Sequence, residues 1–289
     1  MHIRPVAPTA YATIHQAANP ALRAALDTLP RWVRATRALD ALADGIAAMP
    51  PTPAVADLAD ELHAALLDGH GMPGDLSAQV GARIVTERVP PAVQAVLEDV
   101  AGRLTVDRDA AVTAGSDTIL AHLHAQLGAA VDTARDAFAD LGHARDEAAV
   151  IATGATEAWT AVHQAAATVA DIRTAQRLIA DKIWFGGGQG RGAHWPSASV
   201  IANTLDVFPA YGRWKAHGFT VDAEGHRTVI RDPRPEPGTL AHLEWLATGP
   251  ARPWVPTRAE YDDADAALTA AVRAAHAADP APRVPVPTY

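Results

Sequence analysis

The chain has 289 residues, a hydrophobic fraction of 49% and a formal net charge of −9. That length supplies one large or two modest domains with ample material for a core, and the acidic balance disfavours nucleic-acid binding by the chain as a whole. Cysteine is absent, which excludes disulfides, thiolate-held zinc or iron–sulfur clusters and thiol catalysis.

Much of the apolar content is alanine, so the area available for burial is smaller than the hydrophobic fraction suggests. Lys182 and Lys215 are the only lysines, and the other strong bases are arginines. Together with the alanine, aspartate and proline usage, this reads as the codon bias of a GC-rich genome. Met1–Pro5 has no apolar signal-peptide core, and no apolar run approaches the length of a membrane span. A cytoplasmic location is therefore the expectation.

Residues 1–8 read as an extended arm. Asn19-Pro20 supplies an N-cap and a proline at the first helical position, opening a short helix toward Leu29. A second helix runs from Arg31 to about Met49, with Trp32, Val33, Leu39, Leu42 and Ile46 at helical spacing, and Pro50-Pro51 ends it. Thr52-Pro53 repeats the cap signature before a helix over 54–67. Glycines and a proline over 69–74 make a loop, and Asp75 opens a helix to about Arg88. Pro90-Pro91 is expected to interrupt, followed by an amphipathic helix over 92–104 through Val93, Val96, Leu97, Val100 and Leu104. This N-terminal array of short helices occupies 1–107.

A long alanine-rich helical segment follows over 108–184. An apolar stripe with 3/4 spacing passes through Leu120, Leu123, Leu127, Val131, Ala134, Phe138 and Leu141. It resumes as Ala148, Ile151 or Ala152, Ala155, Trp159, Val162, Ala166, Val169, Ile172, Gln176, Ile179 and Ile183. Alanine at inward positions lets helix axes approach closely. The phase change at Gly142-His143 leaves two readings open, one bent helix or a helical hairpin. Gly128 and Gly154 weaken a helix without having to end it.

From 185 to 289 the composition changes. Five of the seven tryptophans and three of the four phenylalanines lie between 184 and 254. Gly186–Gly192 is a glycine-rich loop, and 197–208 reads as a short helix. Phe219–Ile230 is the best strand signal, two β-rich runs around Gly225, predicting a hairpin over about 218–231. A proline-rich connector leads to a helix over 239–248, stopped by Gly249-Pro250. Thr257-Arg-Ala-Glu260 is a capping box opening a final helix to about 278, before a proline-rich tail. The fold class is mainly α, with a small C-terminal α+β segment holding one β-hairpin.

Motifs for chemistry are sparse. The Gly186–Gly192 loop lacks Gly-Lys-Ser/Thr and Gly-x-Gly-x-x-Gly and follows a helix, so it is not a nucleotide fingerprint, although its amides and Arg191 could hold a phosphate. His122 and His124 fall on different helix faces, His242-Leu-Glu244 lacks the spacing of a zinc helix, and Asp222, Glu224 and His226 alternate around the hairpin turn. Asp262, Asp263 and Asp265 suit the first turns of a helix by its dipole. No Gly-x-Ser-x-Gly elbow is present. No catalytic residue, metal site or cofactor is therefore assigned, and an enzyme without a recognisable motif stays an alternative.

Residues 173–234 carry nine Arg/Lys and five Asp/Glu, a net of +4 in an acidic chain, interleaved with aromatic residues. Such a stretch can bind single-stranded nucleic acid. It can equally anchor a protein partner, the favoured reading, with Trp184, Arg191, Trp195, Tyr211 and Trp214 as candidate partner-binding residues.

In layout, with its 109–183 helical stretch, Gly186–Gly192 loop and 279–289 tail, the chain resembles assembly proteins of tailed bacteriophages from GC-rich actinobacterial hosts. The resemblance implies a virion or capsid-assembly component, present in many copies and acting through protein contacts. A second resemblance is to helical substrates of type VII secretion, through Tyr261-Asp-Asp-Ala-Asp265, which matches their Tyr-x-x-x-Asp/Glu signal. The Trp-x-Gly turn of that family is missing.

Overall fold

The computed structural model describes residues 14–15, 18–47, 75–185, 195–221 and 226–278. The expected arm over 1–8, the helix over 54–67, the loop over 69–74, the Gly186–Gly192 loop with Arg191, the hairpin turn with Asp222 and Glu224, and the 279–289 tail lie outside them. The protein is mainly helical, with a single two-stranded antiparallel hairpin among the described residues. It divides into two compact units, one containing Pro30–Thr113 and the other Ala10–Leu29 with Ala114–Tyr289.

The first unit holds α2 (Pro30–Ala47) and α3 (Leu76–Ala114, whose last residue belongs to the second unit). Trp32 and Ala35 are buried in α2, and Thr105, Ala111 and Val112 in α3. The break expected at Pro90-Pro91 does not occur, and α3 runs through it as one helix of 39 residues. Proline's φ is itself helical. Each proline costs a backbone hydrogen bond and crowds the preceding turn without forbidding the conformation. Arg108, beside Asp109 and Asp40, has its pKa lowered by burial, which outweighs both carboxylates.

The second unit opens with α1 (Pro20–Leu26). Asn19 caps it as expected, its Oδ1 accepting from the Leu22 amide at 2.7 Å. The Asn19 amide nitrogen also donates to the Asp171 carbonyl at 2.9 Å, fastening α1 to the long helices. Those are α4 (Ser116–Leu141) and α6 (Thr156–Ile179), packed along their lengths. The alternative left open by the sequence is thus resolved as a helical hairpin. Every expected stripe residue of α4, from Leu120 to Leu141, is buried. On α6, Val162, Ile172, Gln176 and Ile179 are buried, with Ala165 and Ala175 beside them.

The turn of the hairpin contains α5 (Glu147–Thr153), N-capped by Asp146. Gly142 ends α4 where the phase change indicated. Gly154 ends α5 in the left-handed region at φ 70°, so it is a terminator and not a tolerated interior glycine. Val150 is buried, while the two alternatives expected inward here, Ile151 and Ala152, are both exposed, Ile151 at 76%. Helices α1 and α10 (Leu240–Thr248) each pack on both arms of the hairpin.

Beyond Ile179 the helix widens into a π turn, Ala180–Trp184. The expected helix over 197–208 is two single turns, α7 (Trp195–Ala198) and α8 (Thr204–Val207), separated by Ile201, which bridges to Pro253. Next come α9 (Tyr211–His217), the hairpin of β1 (Phe219–Val221) and β2 (Arg227–Val229), α10 and α11 (Arg258–Ala278). Phe219 pairs with Val229 and Val221 with Arg227. The Thr257–Glu260 capping box forms, with Glu260 Oε2 accepting from the Thr257 amide at 2.7 Å and its hydroxyl at 2.8 Å. No helix among the described residues is long and apolar enough to cross a membrane.

Candidate functional site

Four of the five aromatic and basic residues singled out by the sequence come together. The π turn adds a residue to the last turn of α6 and delivers Trp184 and Phe185 onto α7 and α11. Trp184 stacks on Tyr261 with centroids 5.6 Å apart, and Trp195 lies 6.0 Å from Trp184 and 5.2 Å from Tyr261. Phe208, Tyr211 and Trp214 form a second triad at 5.4 to 6.0 Å. Both triads belong to one hydrophobic cluster with Ala198 and Leu268. Trp195 and Tyr211 are buried, while Trp184 and Trp214 are half-buried. Their rings are largely spent on the core of the C-terminal segment. Tyr261 of the Tyr-x-x-x-Asp sequence is also buried in this cluster.

The rim of the cluster is cationic. Arg258 lies 5.7 Å from the Trp184 ring and 5.3 Å from the Phe185 ring, and it pairs with Asp262 at 2.8 Å. Lys215 sits 4.4 Å over Trp214. Each cation gains from the ring quadrupole while keeping its charge near water.

Under the rings runs a polar network that the sequence did not reveal. Asp232 receives Arg234 through Nε at 2.8 Å and through Nη2 at 2.5 Å, a forked pair. Arg234 Nη1 donates to the Ser197 hydroxyl at 3.1 Å, and Ser197 in turn hydrogen-bonds Tyr211. Burial raises the Asp232 carboxyl, but the hydrogen bonds and charge of Arg234 outweigh it and hold the group below the usual carboxylate range. Burial pushes the Tyr211 phenol up. The Ser197 hydroxyl therefore meets a phenol and a guanidinium, neither of which takes its proton, so the arrangement ties segments together without activating a nucleophile.

Next to it, Arg173 on α6 is partly exposed by surface area, yet its charged end is desolvated. Its Nη1 donates to the carbonyls of Trp254 at 2.7 Å and Ser199 at 3.4 Å and to Gln176 Oε1 at 2.9 Å, and Nη2 reaches the Val200 carbonyl at 3.1 Å. Desolvation pulls its pKa down to about 10. Gln176, itself buried, completes the clamp by donating to the Ser199 carbonyl at 2.8 Å. Of the basic stretch 173–234, Arg173 and Arg234 are thus occupied inside the fold, while Arg177, Arg213, Lys215, Arg227 and Arg231 are exposed.

His242 lies close enough to both arginines to feel them. Burial, then Arg173 and Arg234, lower its pKa against a backbone hydrogen bond at Pro235. Several other acids and histidines singled out by the sequence have structural employment. His122 contacts Gln126, His124 Nδ1 accepts from the Val255 amide at 3.1 Å, and Glu244 pairs with Arg145 at 2.6 Å. Among the described residues no three His, Asp or Glu gather as metal ligands. An open groove of about 520 Å³ lies between α1, α4 and α6, lined mainly by small residues such as Ala130, Thr133, Ala165 and Thr168. None of its lining residues belongs to the Arg234 network, so the two do not form one site.

No family model, characterised protein or solved structure matches the chain.

Proposed function

We propose that the protein is a non-enzymatic structural component that self-associates, acting as a virion or capsid-assembly protein of a bacteriophage or prophage. The observation that carries this reading is the surface of α3. Its 39 residues span about 58 Å at about 1.5 Å per residue. Val96 is 62% exposed, Val106 66% and Val100 38%. Fully covering a side chain of this kind is worth roughly 1.5–3 kcal/mol, and a second copy of the chain is the covering partner we infer. The layout resemblance to phage assembly proteins supports the wider assignment. So does the chemistry around Arg173 and Arg234, where polar groups are consumed in holding the fold.

Multi-angle light scattering on the full-length protein tests it. The expected result is a multimer whose mass falls when Val96→Asp and Val106→Asp are combined. A strict monomer at every concentration, with no incorporation into particles, would overturn the reading.

A further inference from the structure

One corner of the second unit reverses the sign of the chain. Helix α9 packs on α11, and β1 packs on α9. The segments 211–221 and 226–231 and the second half of α11, 266–278, contain Arg213, Lys215, Arg227, Arg231 and Arg273, three histidines, and no Asp or Glu; the acidic residues of α11, Glu260, Asp262, Asp263 and Asp265, lie in its first half, where Asp265 acts on Tyr211. The whole chain has 33 acidic and 24 basic residues, so these segments run against its overall balance. The next carboxylate along the chain, Asp232, is forked onto Arg234. Asp222 and Glu224 of the hairpin turn lie outside the described residues.

Cations and rings alternate across the corner. The Arg227 guanidinium lies 4.6 Å over Phe219, the His217 ring is 6.3 Å from Phe219, and the His276 ring is 5.0 Å from His217. Lys215, the next residue of α9, covers Trp214 at 4.4 Å. Arg213, Lys215, Arg227, Arg273 and His276 are exposed, as is every residue of β2. We propose that this corner binds single-stranded nucleic acid. A guanidinium stacked on a ring leaves its outer plane open to a nucleobase, which extends the stack without regard to sequence. The surrounding cations track phosphates. An acidic peptide would use the charges but not the stacked planes, so the observations favour the nucleic acid.

The test is fluorescence anisotropy of a labelled oligothymidylate with the full-length protein. With about four phosphates neutralised, affinity should fall roughly 50-fold between about 50 and 200 mM salt. Lys215→Ala with Arg227→Ala should weaken binding at least about tenfold, and Phe219→Ala should weaken it separately. Arg177→Ala, exposed on α6, should leave it unchanged. Circular dichroism checks folding, and Arg273→Ala on α11 replaces the hairpin variant if that one unfolds. Absence of binding at low salt, or binding indifferent to these corner variants, overturns the proposal. So does equal competition by polyglutamate, which would mark a surface for acidic proteins. Light scattering reads self-association independently, so the two proposals fail separately.

Discussion

Replacing Arg173 by Met keeps most of the buried stem and removes the guanidinium, which isolates the clamp between α6 and the 199–200 and 254 segments. Two of the three carbonyls it serves keep another donor. Ser199 still receives Gln176 Nε2 at 2.8 Å, and Val200 still receives the Trp254 amide at 3.2 Å. The Trp254 carbonyl loses its 2.7 Å bond and gains nothing. Nη1 shares two protons among three acceptors, one at 3.4 Å, so the guanidinium makes about three full charge-assisted bonds, which at about 2 kcal/mol each amount to about 6 kcal/mol. Against that, the pull of the pKa down to about 10 by burial corresponds to roughly 3 kcal/mol of desolvation that methionine escapes. The expected net loss is about 3 kcal/mol, or about 6–12 °C in Tm for a unit of this size. Urea titration followed by tryptophan fluorescence reads it in the transition of the second unit. Arg173→Lys should recover part of the loss, because an ammonium keeps the charge but not the fork. A methionine variant within about 1 kcal/mol of wild type would refute the clamp, since the bonds would then only balance the burial of the charge.

Gly212→Ala reverses the sign that helix propensity gives. Alanine in a helix is favoured by about 1 kcal/mol over glycine, but a Cβ here would sit 2.4 Å from the Ala271 carbonyl oxygen, so a net loss of about 1–3 kcal/mol from overpacking is expected in thermal melts. Asn19→Ala removes an N-cap and the bond to the Asp171 carbonyl, and should cost about 2 kcal/mol; a loss under a few tenths would show that α1 is held by its apolar face alone. The His242 pKa is lowered from 6.5 in the folded protein, so the unfolded chain takes up the proton first. The stability this contributes is present above about pH 6.5 and is lost as pH falls toward the folded pKa. Chemical denaturation at stepped pH should therefore show a steeper decline below pH 6.5 for wild type than for His242→Gln, and equal slopes would refute the assignment.

Features set by local chemistry were legible in the sequence. Asn19, Asp146, Thr239 and Thr257 all act as helix N-caps, and a cap is a bond between residues three apart in the chain. The Asn19 and Thr257 signatures were read directly, Thr239 was read only as the start of its helix, and Asp146 was passed over although it lies between the phase change at Gly142-His143 and the resumed stripe at Ala148. The stripe of α4 was read residue for residue, because a single regular helix preserves the phase between one turn and the next. After Gly142 the chain restarts as a separate short helix capped by Asp146, so the phase carried over from α4 no longer applies, and the reading of Ile151 or Ala152 as inward fails for that reason. Pro90-Pro91 shows the opposite error, in which a local destabilisation was taken as a stop.

By itself the sequence determined a mainly α protein with a break at Gly142, a β-hairpin near Phe219 and a capped final helix, since these depend on periodicity and on contacts a few residues apart. Only the tertiary structure decided that the long segment doubles back, that Trp195 and Tyr211 are core, and that Arg173 serves carbonyls 26, 27 and 81 residues away. It also decided which cations of the basic stretch face water. A run of residues shows charge, but burial and partnership depend on which distant segments arrive beside it, and those contacts leave no period in the chain.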